Sequence, residues 1–423
     1  MSQIVLLPHG TAGDVLPYIF LGRKLVERGH RVTMIWIESF RAAAERAGLQ
    51  YVAMDDGGFE EMLKNPAAWH PHEGLKLGFA CAGRCLEPRL KAFFEDMACN
   101  GAPDLLLAPR SNFAARLLRE KLGVSFVSVV IYPMGFVSAY EVPAGILAAG
   151  LLRLLPVFVR KMIFAMVAPY DSFVMPYVRE SCLAHGVMPP RKLNREWGYP
   201  PEGVLALFPS WYGQPQPDWP KNCLQWDFPR EDLSTEKALP AELCAFLDAG
   251  EKPVVFTLGT GNHHALHFFT TAVKLCERLG CRAVFLSRDQ SQIPDDLPST
   301  IHAVQYAAFS ALLPHARVFV HHGGIGTLAL GCMAGLPQFI VPMACDQPDN
   351  AERLEKMGVG VKLDVSRFNF DRALPLLKRC LEDERMRHKA EACAKLAEEN
   401  RMPESVLVDW LEERMKKTAA GQS

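Results

Sequence analysis

Two histidines and three glycines close an apolar run in the second half of the chain, in Val318-Phe-Val-His-His-Gly-Gly-Ile-Gly-Thr327. Glycines let the backbone approach a ligand closely, and a helix after them would offer free N–H groups and its positive dipole end to a diphosphate. His322 could add a hydrogen bond or a positive charge to the same phosphates. The pattern predicts a diphosphate site with His322, Gly324, Gly326 and Thr327, and an ordinary strand-to-helix turn is the alternative.

Two other loops are expected at the same edge of the sheet, because ligands of open α/β sheets bind outside the carboxyl ends of the strands. Asp346 and Gln347 follow an apolar run at Gln338–Val341, and an acid beside an amide suits the hydroxyl groups of a sugar. On its own, such a pair is more often an ordinary polar loop. The loop after another apolar run could supply N–H groups to the phosphates from Thr257, Gly259 and Thr260.

Apolar runs alternate with helical patterns along both halves of the chain, which predicts parallel sheets covered by helices on both faces. The first half has strands at Ile4–Leu7, Val32–Ile37, Leu105–Ala108 and Phe126–Ile131, with helices at Pro17–Arg28, Ser39–Ala47 and Ala114–Leu122. The second half has strands at Val254–Leu258, Ala283–Leu286, Val318–His321 and Gln338–Val341, with helices at Thr270–Leu279 and Gly326–Ala334. Two such arrays indicate an α/β protein with two doubly wound domains.

The length of 423 residues also suits two domains. We place the first at 1–225, a linker at 226–240, the second at 241–395, and a C-terminal helix and tail at 396–423, with surface helices over Met386–Lys417. A formal net charge of -1 gives no electrostatic reason to bind nucleic acid. The twelve cysteines include no CxxC pair, and no secretory leader precedes the first strand, so the expected location is the cytoplasm.

The donor loops, their order and the Leu312-Leu313-Pro314 segment before them resemble the nucleotide-sugar signature of the inverting glycosyltransferases, which include plant natural-product, sterol and bacterial macrolide enzymes. The resemblance implies a GT-B fold, in which two Rossmann-like domains face a central cleft. The N-terminal domain would bind the acceptor and the C-terminal domain the nucleotide sugar. It implies a hexosyltransferase with a dTDP- or UDP-sugar as co-substrate and no cofactor. The absence of a D-x-D triplet suits transfer without a metal ion.

Three positions depart from the family pattern. Tyr306 stands where many members have a tryptophan that stacks on the base, and Phe309 stands where plant members have a glutamine. Leu330 stands where a glutamate commonly holds the ribose hydroxyls. Tyrosine can still stack, but leucine accepts no hydrogen bond. A deoxyribose donor would tolerate the leucine better, which favours a dTDP-sugar over UDP-glucose.

The turn Gly10-Thr-Ala-Gly-Asp-Val-Leu-Pro17 follows the first strand and matches the family loop that carries the catalytic base. The resemblance assigns that role to Asp14, whose carboxylate would take the proton of the acceptor hydroxyl, and it places Gly13 at the donor. The alternative is that Asp14 caps the helix that follows. His9 is a competing base, although its position before the first glycine better suits packing or contact with a phosphate, and we count it among the expected acceptor contacts.

From Ile4 to about Glu382 the sequence also resembles the rhamnosyltransferases of rhamnolipid biosynthesis, for example in Ala12-Gly13-Asp14-Val15. This similarity implies that rhamnose is moved from dTDP-rhamnose, with inversion, to the hydroxyl of a 3-hydroxyacyl lipid. Phe113 and Phe136 would then contact the acceptor. A UDP-glucose-dependent glucosyltransferase acting on a lipid or small natural product is the alternative within the family. A nucleotide-sugar epimerase is the alternative from another class.

The segment Ala144–Ala168 is almost wholly apolar, yet it contains Arg153, Arg160 and Lys161 and is interrupted by Pro156. A membrane-spanning helix needs about 20 uninterrupted apolar residues, so no span is predicted. One interpretation is a buried helical pair that walls the acceptor pocket. The other is peripheral contact with the inner membrane surface, with the cations directed toward the headgroups.

Two groups of histidines have neither cysteine partners nor a firm ligand spacing, so we predict no metal site. They are His70 and His72 with Glu73, and His263, His264 and His267. His-Gly-Gly also occurs in the oxyanion loop of lipases, but no serine of this chain lies in G-x-S-x-G. The sequence therefore excludes that class of hydrolase.

Overall fold

The computed structural model describes residues 1–70, 73–146, 148–166, 171–230, 238–259 and 265–420. The chain divides into two compact units. The first consists of Met1–Met62, His72–Pro229 and Met402–Ser423, and the second of Leu63–Pro71 and Arg230–Arg401. Both ends of the chain therefore belong to the first unit.

The first unit contains a seven-stranded sheet in which every described pairing is parallel. The strands are β1 (Gln3–Leu6), β2 (Arg31–Trp36), β3 (Gln50–Ala53), β4 (Leu105–Ala108), β5 (Ser125–Val130), β6 (Gly203–Ala206) and β7 (Cys223–Gln225). Their order is β3-β2-β1-β4-β5-β6-β7, so the strand order reverses between β1 and β4. Ligands of doubly wound sheets bind at such a switch point, which is where the turn after β1 lies.

Ten α-helices lie before residue 230 in the described part of the chain. They are α1 (Ala12–Glu27), α2 (Arg41–Arg46), α3 (Phe59–Lys64), α4 (Glu73–Arg84), α5 (Leu86–Asn100), α6 (Phe113–Leu122), α7 (Ala149–Leu154), α8 (Val157–Met166), α9 (Asp171–Ala184) and α10 (Leu193–Glu196). Helix α1 begins five residues before its predicted start and contains Pro17. The reason is a capping box at Thr11 and Asp14, which starts the helix upstream of the proline.

The second unit contains a six-stranded parallel sheet in the order β10-β9-β8-β11-β12-β13. Its strands are β8 (Val254–Thr257), β9 (Ala283–Leu286), β10 (Ile301–Val304), β11 (Val318–His321), β12 (Gln338–Ile340) and β13 (Gly360–Lys362). Its helices are α11 (Ala241–Asp248), α12 (Leu266–Leu279), α13 (Phe309–Leu312), α14 (Ile325–Met333), α15 (Gln347–Met357), α16 (Phe370–Glu382) and α17 (Glu384–Glu399). Its switch point lies between β8 and β11.

Both faces of the second sheet are buried. Val254 and Phe256 of β8 belong to one apolar cluster and Val255 to another, because successive side chains of a strand point to opposite faces. Helices cover the two clusters. The predicted α/β class, with two Rossmann-like doubly wound domains, is confirmed.

The last helix, α18 (Glu404–Ala420), packs on the first unit although it ends the chain. Glu404 pairs with Lys24 at 2.8 Å, and Glu412 lies 3.1 Å from the Nε2 atom of His30. Its apolar side chains Leu407 and Leu411 are fully buried. Helices α17 and α18 occupy the C-terminal segment for which the sequence predicted helices, and α18 belongs to the first unit.

Helices α7 and α8 are not the buried pair that one interpretation of the sequence expected. None of the residues of α8 is buried. Two of the cations also turn inward, because Arg153 and Arg160 donate to backbone carbonyl groups. Among the described residues, no helix is long and apolar enough to cross a membrane.

Candidate active site

Asp14 lies in the first turn of α1, just after the switch-point strand β1. Its Oδ2 atom accepts hydrogen bonds from the Thr11 backbone N–H at 2.9 Å and from the Thr11 hydroxyl at 3.3 Å. Burial raises the pKa of Asp14 to about 6, against the lowering effect of the two bonds from Thr11. The carboxyl group therefore serves as a cap and also has the pKa that suits a general base near neutral pH.

Gly10 makes room for this carboxyl group. Its φ of +123° lies in the region that favours glycine, and a Cβ atom there would overlap the Asp14 side chain. Gly13 is exposed, and a Cβ atom there would meet no other atom within 4 Å. The turn thus requires a glycine at Gly10, while the donor contact of Gly13 stays a prediction.

His9 belongs to a packed cluster around the same turn. Its ring centroid lies 5.1 Å from that of Trp36 and 5.8 Å from that of Phe59. The buried guanidinium of Arg89 lies 4.8 Å from the Trp36 ring. Burial and the charge of Arg89 lower the pKa of His9 to about 3. A neutral imidazole held among aromatic rings fits a packing role better than the role of a base.

Phe113 and Phe136, the predicted acceptor contacts, are both less than a tenth exposed. Phe113 is the first residue of α6. Phe136 stacks on Trp219 with 4.0 Å between ring centroids, and Phe208 and Tyr199 contact it from other sides. Both rings have a clear packing role, and their contact with an acceptor stays a prediction.

His321, the last residue of β11, holds the turn at Gly323 and Gly324 in place. We refer to this turn of the second unit as the glycine turn. Its Nδ1 atom accepts the Gly323 backbone N–H at 3.0 Å, so Nε2 carries the proton and donates to Gln338 Oε1 at 2.7 Å. Burial and the neighbouring His322 lower the pKa of His321 to about 3. The neutral ring thereby holds Gly323 at a φ of +89°, where the chain turns toward α14.

His322 occupies a space left by two glycines. A Cβ atom at Gly259 would lie 2.7 Å from the His322 ring, and one at Gly324 would lie 2.5 Å from its Nε2 atom. Burial lowers the pKa of His322 to about 4, and its buried Nδ1 atom has no hydrogen-bond partner among the described residues. At neutral pH the imidazole therefore offers a phosphate a hydrogen bond rather than a positive charge.

The other residues predicted to bind the phosphates follow the two strands at the switch point of the second sheet, β8 and β11. Thr257 ends β8, and its hydroxyl accepts the Gly259 N–H at 3.2 Å. Thr260 lies outside the described residues. Gly324 occupies the N-cap position of α14, whose first-turn N–H groups lack acceptors within the helix and attract anions.

The first turn of α14 is open at Gly326 and Thr327. A Cβ atom at Gly326 would meet no other atom within 4 Å, and Thr327 is partly exposed. Leu330, one turn further, is partly buried and packs against the second apolar cluster of this unit. The helix therefore presents backbone N–H groups at its start and an apolar side chain behind them.

Asn350 joins the glycine turn to the loop that holds Asp346. Its Nδ2 atom donates to the Gly323 carbonyl at 2.9 Å and to Asp346 Oδ2 at 2.6 Å. Gln347 Oε1 accepts two backbone N–H groups of its own loop at 2.9 and 3.2 Å. Asn350 thus links Asp346 to the glycine turn. The amide oxygen of Gln347 is used within the loop, where it accepts two backbone hydrogen bonds.

Cys345, immediately before this pair, has a φ of 58°. A non-glycine residue in that region stores strain on the order of 1–3 kcal/mol, and such residues cluster at ligand sites. The following Asp346 is the N-cap residue of α15. The strain at Cys345 therefore supports a ligand-binding role for the loop after β12.

Tyr306 lies after β10 and is partly buried. The guanidinium carbon of Arg288 lies 5.9 Å from the centroid of its ring. Arg288 follows the neighbouring strand β9 in a loop with no distinctive pattern, and the sequence did not single it out. Arg288 thus adds a cation to the region of the second unit that is predicted to bind the nucleotide base.

Metal ligation is not supported by the described part of the chain. No group of three or more His, Cys, Asp or Glu side chains there is arranged to hold a metal ion. His267 is hydrogen-bonded to the Phe368 carbonyl at 3.1 Å, and Glu73 pairs with Lys76 at 2.6 Å. The other histidines considered as ligands include His72, His263 and His264, which lie outside the described residues.

Acidification is expected to destabilise the fold through His321. The unfolded histidine takes up a proton near pH 6.5 and the folded one only near pH 3, so the unfolded state binds more protons between these values. The free energy of unfolding should fall by about 1.4 kcal/mol per pH unit as the pH drops through that window. Urea unfolding at a series of pH values measures the slope. His321→Gln, which cannot titrate, should show a shallower slope, and equal slopes would contradict the assignment.

Solved glycosyltransferases share this architecture over almost the whole chain. The glycosyltransferase VinC, in complex with dTDP, has a TM-score of 0.70 at 20% identity, covering 98% of this chain and 100% of that chain. The spinosyn rhamnosyltransferase SpnG has a TM-score of 0.70 at 17% identity, covering 97% of this chain and 100% of that chain. The fold is therefore GT-B.

Sequence comparison adds the type of activity. Residues 283–412 match the C-terminal domain of erythromycin biosynthesis protein CIII-like proteins, and residues 4–137 match the glycosyltransferase family 28 N-terminal domain. The O-mycaminosyltylonolide 6-deoxyallosyltransferase of Streptomyces fradiae is 28% identical over 433 residues, covering 97% of this chain and 98% of that protein. The chain is a nucleotide-sugar glycosyltransferase of the GT-B type. It combines a family 28 N-terminal domain with a CIII-like C-terminal domain.

Proposed function

We propose that the protein transfers a deoxysugar, favouring rhamnose from dTDP-rhamnose, to the hydroxyl group of a hydrophobic acceptor such as a 3-hydroxyacyl lipid. Leu330 is the observation that carries the donor assignment. This leucine packs into an apolar cluster and offers no acceptor to a ribose 2′-hydroxyl group. Three relatives agree with this proposal: one is named a 6-deoxyallosyltransferase, one a rhamnosyltransferase, and one is in complex with dTDP.

In the proposed reaction, Asp14 removes the proton of the acceptor hydroxyl as its oxygen attacks the anomeric carbon. Both bonds from Thr11 use Oδ2, so Oδ1 is the atom that would receive the proton. The bond from the anomeric carbon to the diphosphate breaks in the same step, and its electron pair leaves with the diphosphate. Attack from the side opposite the leaving group inverts the anomeric configuration.

The departing diphosphate would be stabilised by groups of the second unit that are already fixed in place. The start of α14 supplies N–H groups and the positive end of the helix dipole. His322 would donate a hydrogen bond, and the loop from Thr257 to Gly259, which is held by the bond from the Gly259 N–H to the Thr257 hydroxyl, would contact the same phosphates. Fixed donors of this kind stabilise developing charge without reorganisation during the reaction. Asp346 and Gln347 would hold the sugar.

We place the reaction in the cytoplasm, with the enzyme contacting the inner membrane surface peripherally. The proposed donor is a water-soluble nucleotide sugar, whereas the acceptor is a lipid. The near-neutral net charge of -1 gives no basis for a nucleic-acid partner.

Chelation of divalent metal ions is expected to leave the transfer rate unchanged, because the proposed scheme assigns charge stabilisation to α14 and His322. The measurement is kcat of the purified enzyme after treatment with EDTA, compared with the same sample resupplied with Mg²⁺. A loss of activity that Mg²⁺ restores would contradict the metal-independent scheme.

The enzyme should use dTDP-glucose several-fold better than UDP-glucose, since the ribose hydroxyl facing Leu330 would lose a hydrogen bond worth about 0.5–1.5 kcal/mol. Leu330→Glu should narrow this preference by supplying an acceptor. The measurement is kcat/KM for both donors with one acceptor. Leu330→Ala is the matched control, because it removes the side chain without adding an acceptor and should not favour UDP-glucose in the same way. A parent enzyme that prefers UDP-glucose would make a glucosyltransferase the better assignment.

A further inference from the structure

Helices α7 and α8 expose an apolar surface that the proposed reaction does not use. Five large apolar side chains on these helices are more than half exposed: Leu151 (67%), Leu154 (81%), Phe158 (67%), Met162 (56%) and Met166 (61%). We refer to these five side chains as the apolar face. Isolated exposed apolar residues are normal, but a contiguous set marks an interaction site.

The apolar face follows helical periodicity. The exposed positions of α8 are 158, 161, 162, 165 and 166, which are spaced three or four residues apart and share one side of the helix. Lys161 is the only charged residue among them, and its Nζ atom lies 3.0 Å from the Tyr140 hydroxyl. The helix therefore exposes one apolar stripe with a single cation on it.

The helical segment itself carries charge of one sign, although Asp218, which accepts the Ala139 N–H, acts on Lys161 from outside it. Residues 142–170 contain three cations and no acidic residue. Arg160 donates to the carbonyl groups of Leu155 at 2.8 Å, Arg153 at 3.0 Å and Ala139 at 3.1 Å. Neutral carbonyl groups satisfy the hydrogen bonds of the guanidinium without cancelling its charge. This segment is therefore complementary to a surface that is both apolar and negatively charged.

We infer that the apolar face docks on an anionic lipid bilayer, with α8 lying in the plane of the interface. A ten-residue helix is about 15 Å long, which is too short to span a bilayer but sufficient to insert one face among the headgroups. Lys161, the exposed cation of the stripe, then lies beside lipid phosphates, while Arg153 and Arg160 stay bonded to backbone carbonyl groups. This docking rests on the membrane contact of the proposed function and specifies its surface, but it depends neither on the sugar nor on the acceptor.

Flotation of the full-length protein with vesicles tests this inference, without donor or acceptor present. We expect binding to phosphatidylcholine vesicles that contain phosphatidylglycerol, weaker binding to phosphatidylcholine alone, and release at high salt. The double substitution Leu154→Ser with Phe158→Ser should abolish binding. Lys161→Glu should weaken it by about five-fold or more, the worth of one cation at such a surface.

Two matched controls keep the result specific. Leu183 in α9 is as exposed as Phe158, at 67%, but lies outside the acid-free segment. Leu183→Ser should bind vesicles like the parent protein, and so should Lys91→Glu, which changes an exposed lysine of α5. Absence of vesicle binding by the parent protein would overturn the inference. Equal losses in the controls would also overturn it, as would dimers that dissociate on Phe158→Ser without any vesicle binding.

Discussion

Asp14→Asn is expected to lower kcat by about 10²–10⁴-fold, the usual contribution of a general base, while leaving donor affinity nearly unchanged. Asparagine retains an oxygen that can accept the Thr11 backbone N–H, so the start of α1 should survive. Its amide group cannot take up the acceptor's proton near neutral pH. The measurement is kcat in steady state, combined with calorimetric titration of the nucleotide diphosphate.

Asp14→Ala provides the comparison that separates the base from the cap. It removes both functions, and the lost cap should cost about 1 kcal/mol of stability, which the asparagine variant should largely retain. Both variants should lose similar activity, because both lack the base. Near-normal turnover of the asparagine variant would leave Asp14 with the capping role alone.

The pH dependence of kcat/KM gives a second test of the same carboxyl group. A base with a pKa of about 6 is protonated below that value, so kcat/KM should fall about ten-fold per pH unit on the acid side. Thr11→Val removes the hydroxyl that donates to Oδ2 and stabilises the charged form. The pKa of Asp14 should then rise, and the acid limb should move to higher pH. An unchanged acid limb would assign it to another group.

His322→Ala is expected to lower kcat by about 10²–10³-fold, as the loss of one fixed donor at developing charge usually does. Because burial keeps the pKa of His322 near 4, the imidazole is neutral throughout the neutral range and the size of the loss should not change there. Single-turnover rates with saturating donor measure this effect on the chemical step.

Two further variants test whether the loss of activity in His322→Ala comes from the position of this imidazole. Gly324→Ala keeps the histidine but places a Cβ atom 2.5 Å from its Nε2 atom, so the ring must move and activity should fall as well. His302→Ala removes a partly buried histidine that stacks on Phe246 at 5.3 Å in the same unit, and it should retain activity. Unchanged donor kinetics in His322→Ala would mean that the start of α14 alone stabilises the diphosphate.

The periodicity of the sequence predicted the central strands of both sheets, because these are short apolar runs between clear turns. Leu105–Ala108, Ala283–Leu286 and Val318–His321 begin and end where they were placed. The outer strands β3, β7, β10 and β13 were not predicted, and neither was β6. The outer strands have few residues and are less buried, and pairing with a neighbour rather than local pattern makes them strands.

The connections among the candidate site residues could not be predicted in the same way. Asn350 meets the carbonyl of Gly323 across 27 positions of sequence, and only the packing of α15 beside the glycine turn creates that contact. Arg89 likewise reaches the cluster of His9 from a distant helix. The sequence supplied the residue types of the site, and the tertiary structure supplied their partners.

The segment of α7 and α8 shows that the sequence also failed to predict which apolar side chains are buried. Its apolar composition suits burial, yet Leu154 and Phe158 face outward. Composition alone does not say what covers an apolar surface, since a protein core and a lipid surface both select the same side chains.

The return of α18 to the first unit also sets the order in which the chain can finish folding. During synthesis all strands of the first sheet emerge before the strands of the second sheet, but the partners of Lys24 and His30 follow both sheets in sequence. The segment 230–401, which contains the whole second sheet, can fold while the first unit still lacks α18. The unit that carries Asp14 is therefore begun before the second unit and completed after it.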